Sequence, residues 1–197
     1  MRNRKLICVE GYSGAGKSKL IEDITKKYSK SRVNVFSKYH PELKNIYTWN
    51  DQVDFVHSKW SKLSVRTSRL YMSLLTATQA GKDINIFDRG LLTFYINCKI
   101  EQVNDDLIAH YINDFLMRIG FANFEYATAL LESSIEVTNS GLRKNRKDYD
   151  KRIAENFRFK KYIEEIDSYH FLGKLIRLDG FYGHSTDIQK LEAFIDS

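Results

Sequence analysis

An α/β fold is predicted, a five-stranded parallel sheet with helices on both faces, and three observations predict it. Short apolar runs recur at 6–9, 33–36, 84–87, 126–131 and 174–178, separated by stretches with helical spacing. Strands that alternate with helices form a parallel sheet covered on both sides. The first run leads into Gly11-Tyr12-Ser13-Gly14-Ala15-Gly16-Lys17-Ser18, which matches G-x-x-x-x-G-K-[ST], the phosphate-binding P-loop. The third run ends in Asp88-Arg89, at the carboxyl end of a strand, where such sheets bind ligands. The expected architecture is a P-loop NTPase three-layer sandwich. It forms one domain over 1–197, with a small helical lid at about 143–152.

The first strand is expected at about 5–10, because Leu6-Ile7-Cys8-Val9 is a continuous apolar run suited to burial on both faces. In the helix after the loop, Leu20, Ile21 and Ile24 recur at helical spacing, and Glu22, Asp23, Lys26 and Lys27 supply the polar face. That helix ends near Tyr28. The second strand, 33–36, opens into Ser37-Lys38-Tyr39-His40-Pro41-Glu42, a candidate acceptor-binding loop. Tyr47, Trp49, Phe55 and Trp60 follow, rings suited either to packing or to base stacking. A long helix over 62–80 presents Val65, Leu70, Met72, Leu75 and Ala77 as an apolar stripe and stops at Gly81. Arg66 and Arg69 lie three apart on it and share a face.

After the third strand, 91–98 reads as a helix. A second amphipathic helix, 104–120, turns Leu107, Ile108, Tyr111, Ile112, Phe115, Leu116 and Ile119 inward. Its apolar arc is wide enough to pack between subunits as well as inside one. The fourth strand is expected at 126–131, and Ser133 and Ser134 can cap a helix starting near Ile135. A helix over 150–169 carries Phe157, Tyr162, Ile163 and Ile166. The last strand, 174–178, ends in a glycine-bounded turn, and Ser185 or Thr186 caps a final helix to Ile195.

The loop has a mechanism. Its glycines let the backbone curl so that successive N–H groups of Gly11, Ser13, Gly14, Ala15 and Gly16 line one concavity, and the helix N-terminus adds partial positive charge. Lys17 would reach the β- and γ-phosphates of ATP, and the Ser18 hydroxyl would ligate Mg²⁺. Asp88 would hold the same ion, usually through water. Arg89 would point into the same crevice, where a fixed guanidinium suits a phosphate on either reactant. The densest basic cluster runs from Arg143 through Arg146 to Arg152. It reads either as a solvated helix end or as a closing lid whose arginines neutralise charge on a transferring phosphoryl group.

Composition narrows the class. Hydrophobic content of 43% and charged content of 28% describe a soluble domain. The net charge of +6 fits a binder of nucleotide or nucleic acid, or a lysine-rich solvated surface. The apolar run near the start is four residues long and ends at Glu10, so no signal peptide is expected, and no run approaches membrane-spanning length. Cys8 and Cys98, without C-x-x-C or zinc spacing, read as reduced buried thiols of a cytosolic protein. No Asn-Lys-x-Asp or Asp-x-x-Gly motif is present, which argues against a GTP-driven switch.

The ordered set of motifs resembles the thymidylate kinase family. Glu10-Gly11 running into Gly14-Ala15-Gly16-Lys17-Ser18 looks like its P-loop, and Asp88-Arg89 like its Asp-Arg motif. Arg66, fifteen residues before Gly81, lies about where the family's long helix carries a substrate-side arginine. Residues 131–137 with the basic segment after them are similar to its fourth strand and lid. The resemblance implies an Mg²⁺-dependent ATP:nucleotide or nucleoside kinase, often dimeric. Lys17, Ser18 and the loop would bind ATP, Arg89 would contact the acceptor, and Arg143, Arg146 and Arg152 are the lid candidates. The turn at 180–184 would lie near the adenine.

Three positions depart from the family pattern, all on the acceptor side. Ser13 stands where an acidic residue is usual, Gly90 where a tyrosine is usual, and Tyr39-His40-Pro41-Glu42 replaces an arginine- and glycine-containing loop. Deoxynucleoside kinases, a related branch, carry a glutamate beside a proline after the second strand. Glu42 is therefore either a general base for a hydroxyl acceptor or a turn residue after Pro41. The expected acceptor is a small nucleotide or nucleoside. A nucleic acid hydroxyl or another metabolite hydroxyl is the alternative.

Overall fold

The computed structural model describes residues 4–36, 59–140, 142, 149–180 and 184–197. In chain order the elements are β1 Arg4–Gly11, α1 Lys17–Lys27, β2 Val33–Phe36, α2 Lys59–Ala80 and β3 Ile84–Asp88. They continue with α3 Leu91–Ile100, α4 Asp105–Phe121, β4 Phe124–Leu131, α5 Ile135–Ser140 and α6 Tyr149–Glu164. Two 3₁₀ turns, Ile166–Ser168 and His170–Leu172, lead into β5 Lys174–Leu178 and α7 His184–Ile195. The strands form one parallel sheet in the order β2-β3-β1-β4-β5.

The order puts β1 at the centre, with β3 and β4 as neighbours. Val9 pairs with Asp88, and Gly11 with Leu131. The loop that leaves β1 therefore emerges beside the carboxylate that ends β3. Side-chain alternation divides the core. Ile7 and Val9 face α1 and α7 with Leu20, Ile24, Leu191 and Phe194. Leu6 and Cys8 face the other way, with Leu70, Leu74, Phe94, Ile112 and Phe115 from α2, α3 and α4. Each such side chain contributes roughly 1.5–3 kcal/mol when fully buried.

Several expected details differ. On α2 the buried stripe is Leu63, Leu70, Leu74 and Ala77, with Ser73 and Thr76; Met72 and Leu75 are exposed and Val65 is half-buried. Ser73 and Thr76 lie inside because short hydroxyl side chains fit where the helix approaches its neighbours. A stripe drawn from hydrophobicity alone passes over them. On α6 Phe157 is 59% exposed, while Asn156 and Phe159 are buried. That helix stops at Glu164 and tightens into the 3₁₀ turn, so Ile166 is buried from the turn. Neither Ser185 nor Thr186 caps the final helix, since both lie within α7. Ser134 does cap α5, its Oγ accepting from the Val137 N–H at 3.2 Å. Asn104 caps α4 through the Asp106 and Leu107 N–H groups.

Cys8 and Cys98 are buried free thiols, and burial pushes both up from the ordinary thiol range. No described helix is long and apolar enough to cross a membrane.

Candidate active site

The loop from Gly11 to Gly16 curls because Gly14 and Gly16 take positive φ, +97° and +93°. The N-terminus of α1 has no side-chain cap and no acidic residue in its first turn. Its N–H groups and dipole thus face the loop without an internal anion. Lys17, only 7% exposed, folds its ammonium back over the loop and donates to the carbonyls of Gly11 at 3.0 Å and Tyr12 at 2.6 Å.

Burial, with Arg89 as the next contributor, pulls the Lys17 ammonium down to about 7, while Asp88 and Glu10 oppose the shift. A triphosphate bound at the loop would restore the charge, and its binding would then take up a proton wherever the free amine is neutral. Near pH 8 we expect an uptake of about one proton, and above that pH an affinity for Mg-ATP that falls about tenfold per unit. Calorimetry in buffers of different ionisation enthalpy measures this. Equal heats across buffers would contradict it, and Lys17→Arg should abolish the uptake.

The Asp88-Arg89-Gly90 turn is built from beneath. Glu10, the last side chain of β1 and 1% exposed, accepts from the Gly90 N–H at 2.6 Å, the Thr93 N–H at 3.2 Å and the Thr93 hydroxyl at 2.5 Å. It caps α3 from a neighbouring strand, where the local N-cap residue is a glycine without a side chain. Gly90 is required by close approach, because a Cβ there would lie 2.2 Å from Cys8 Sγ. The tyrosine usual in the resembled family does not fit on this backbone. Arg89 sits at φ +72°, the left-handed region that costs a non-glycine residue roughly 1–3 kcal/mol. Its guanidinium lies over the Phe159 ring, 5.9 Å from the centroid.

Arg69 on α2 donates to the Asp88 carbonyl at 2.5 Å, bringing a second guanidinium to the turn. Arg66 goes elsewhere: its fork grips both oxygens of Glu101, at 2.5 and 2.9 Å. The shared face expected of the two arginines therefore divides, one serving the turn and one tying α2 to the end of α3. Arg152 on α6 donates to the Ser13 hydroxyl at 2.5 Å. Arg143, Arg146 and Glu42 lie outside the described residues.

Ser18 and the half-buried Asp88 line one groove of about 780 Å³ that runs along α1. Mg²⁺ in nucleotide sites is held by one or two protein ligands plus phosphates, so a hydroxyl and one carboxylate fit it. Among the described residues no cluster of three or more His, Cys, Asp or Glu offers an all-protein metal cage.

Sequence reasoning missed three contributors. Asn156, 1% exposed, bonds both backbone groups of Ser13, so the Ser13 N–H expected to line the phosphate concavity is instead taken up by this amide. Glu10 holds the turn, as described above. Asp187, also 1% exposed, accepts from the Asp179 and Gly180 N–H groups and fixes the turn after β5. The available signal for Asn156 was its spacing, four residues after Arg152 and three before Phe159.

No family model matches the chain, and no curated protein matches it. Solved structures do. A NadR protein in complex with NR superposes with a TM-score of 0.60 at 12% identity, covering 99% of this chain and 52% of that one. The chain thus spans about half of that protein's length. A deoxyadenosine kinase from M. mycoides with bound dATP superposes with a TM-score of 0.53 at 19% identity, covering 98% of this chain and all of that one. The chain has the P-loop NTPase fold.

Proposed function

We propose that the protein is an ATP-dependent phosphotransferase that moves the γ-phosphoryl of Mg-ATP to a nucleoside or nucleoside monophosphate. The observation that carries this reading is the gathering of Lys17, Arg89, Arg69 and Arg152 around one uncapped P-loop, with Asp88 at its edge. Phosphoryl transfer needs little covalent help from a protein and much positioning and charge stabilisation. The loop N–H groups and Lys17 hold the donor phosphates. Arg89, fixed by its turn and by Phe159, faces the charge that builds on the transferring group. Ser18 and Asp88 would hold Mg²⁺, which supplies neutralisation of the phosphate oxygens.

Two observations favour a hydroxyl acceptor over a phosphate. Arg66, at the place of the family's substrate-side arginine, has its fork filled by Glu101. One similar structure is a deoxyadenosine kinase. An alcohol acceptor attacks the γ-phosphorus through its oxygen, the bond to the bridging oxygen of ADP breaks, and the hydroxyl proton must pass to a base. Glu42 is the candidate base. Glu10 is excluded from that role because its oxygens already accept three hydrogen bonds.

ADP formation across nucleosides, nucleoside monophosphates and DNA ends tests the acceptor class. Turnover with nucleosides is expected, and Glu42→Gln should lower it by about 10²-fold or more. Turnover restricted to monophosphates and indifferent to Glu42→Gln would contradict the hydroxyl reading. Turnover restricted to DNA ends, with strong salt dependence, would move the protein to a nucleic acid kinase.

A further inference from the structure

One stripe of α6 touches both halves of the site. Arg152, Asn156 and Phe159 fall at i, i+4 and i+7, so they share a face. Arg152 reaches the Ser13 hydroxyl, and Phe159 lies under the Arg89 guanidinium. Between them the buried Asn156 accepts from the Ser13 N–H at 2.8 Å and donates to the Ser13 carbonyl at 3.0 Å. A single amide thus satisfies both backbone groups of one loop residue, as a neighbouring strand would. Its second N–H is anchored on Asn139 Oδ1 of α5 at 2.9 Å. The next loop residue is gripped as well. A Cβ on Gly14 would lie 2.8 Å from Leu142 Cδ2 and 3.2 Å from the Thr138 carbonyl.

We propose that Asn156 is a positioning residue that sets the register between the P-loop and Arg89, using α6 as the common template. It turns the Ser13 N–H towards α6, away from the concavity, and so fixes which loop N–H groups remain to meet phosphate. Through Phe159 on the same stripe it also fixes the distance from that cradle to Arg89. This rests on the phosphotransferase reading for its consequence in turnover. Its consequence for nucleotide binding stands without it.

The test is a double-mutant cycle between Asn156→Leu and Arg89→Gly, read on the Kd of Mg-ATP by calorimetry and on kcat. If the register is carried by Asn156, Asn156→Leu weakens Mg-ATP by about tenfold and lowers kcat by up to about 10²-fold, the cost of a misplacement near 1 Å. In kcat the double variant is then no worse than Arg89→Gly alone within about threefold, since that loss runs through Arg89, while the roughly tenfold loss of affinity persists in both backgrounds. Thr128→Val serves as the stability control. It removes a buried bond to the Leu172 carbonyl in the core, away from the loop. It should lower Tm comparably and leave both Kd and kcat unchanged.

Asn156→Asp covers the case in which the leucine variant does not fold. It keeps the acceptor for Ser13 but can donate to the Ser13 carbonyl only when protonated. Its Mg-ATP affinity relative to wild type should therefore recover as pH falls. An unchanged Kd in Asn156→Leu, independent effects that multiply in the kcat cycle, or a flat pH ratio for Asn156→Asp would overturn the proposal. A loss of Mg-ATP affinity in Asn156→Leu, beside a wild-type protein that turns over no acceptor, would leave the register standing and remove the phosphotransferase reading.

Discussion

Lys17→Ala is expected to lower kcat by at least about 10³-fold while the fold survives. The ammonium is enclosed by the loop itself, held over the Gly11 and Tyr12 carbonyls before any nucleotide arrives. Removing a preorganised donor from a phosphoryl-transfer site costs about 10²–10³-fold in general, and here the donor would also carry full charge once a triphosphate is bound. Stability should not fall with activity, and the sign can be worked out. The folded-state value of Lys17 lies near 7, below its unfolded value of 10.5. The native state therefore binds fewer protons than the unfolded one between those values, and burying this lysine opposes folding most at the acid end of that window. The alanine variant escapes that cost but loses two hydrogen bonds. Its Tm at pH 7 should thus stay within a few degrees of wild type. Wild-type turnover would remove Lys17 from the site, and an unfolded variant would show that the loop is held mainly by this side chain.

Arg89→Gly is expected to separate activity from stability in opposite directions. An arginine aimed at a transferring phosphoryl group is worth roughly 10³–10⁵ in rate, so kcat should fall by about 10³-fold. The same residue occupies φ +72°, where glycine is at ease. Relief of about 1 kcal/mol raises Tm by roughly 2–4 °C in a domain of this size, partly offset by the lost contact with Phe159. Circular dichroism melting beside steady-state kinetics makes the comparison. A variant that melts lower and keeps its rate would mean that Arg89 is structural. The strain persists because Glu10 over-determines the turn through the Gly90 and Thr93 donors.

The sheet was legible because each strand is a short apolar run closed by a turn, and 33–36 and 174–178 match the observed strands to the residue. The phosphate loop was legible because its function is written in backbone demands that only glycines meet. What the sequence hid was side-chain geometry across elements. Glu10 caps a helix eighty residues away, and Asn156 bonds a loop 143 residues earlier. No local pattern encodes such pairs. Arg66 and Arg69 show the same limit. Their spacing predicts one face, yet a Glu101 at the far end of α3 draws one guanidinium away and Asp88 draws the other. The apolar stripe of α2 was misdrawn because a period locates a face only to within one residue, and Met72 and Leu75 fall on its outer margin.

The central claim is that a γ-phosphoryl group leaves ATP for an organic acceptor at this loop. The most direct measurement follows the label from γ-³²P ATP with Mg²⁺ and a nucleoside mixture, chromatographed beside a Lys17→Ala sample. The result expected is label on a nucleoside phosphate, formed only with the wild-type protein. Label released solely as inorganic phosphate, at the same rate with and without acceptor, would contradict it and identify a nucleotide hydrolase on the same fold.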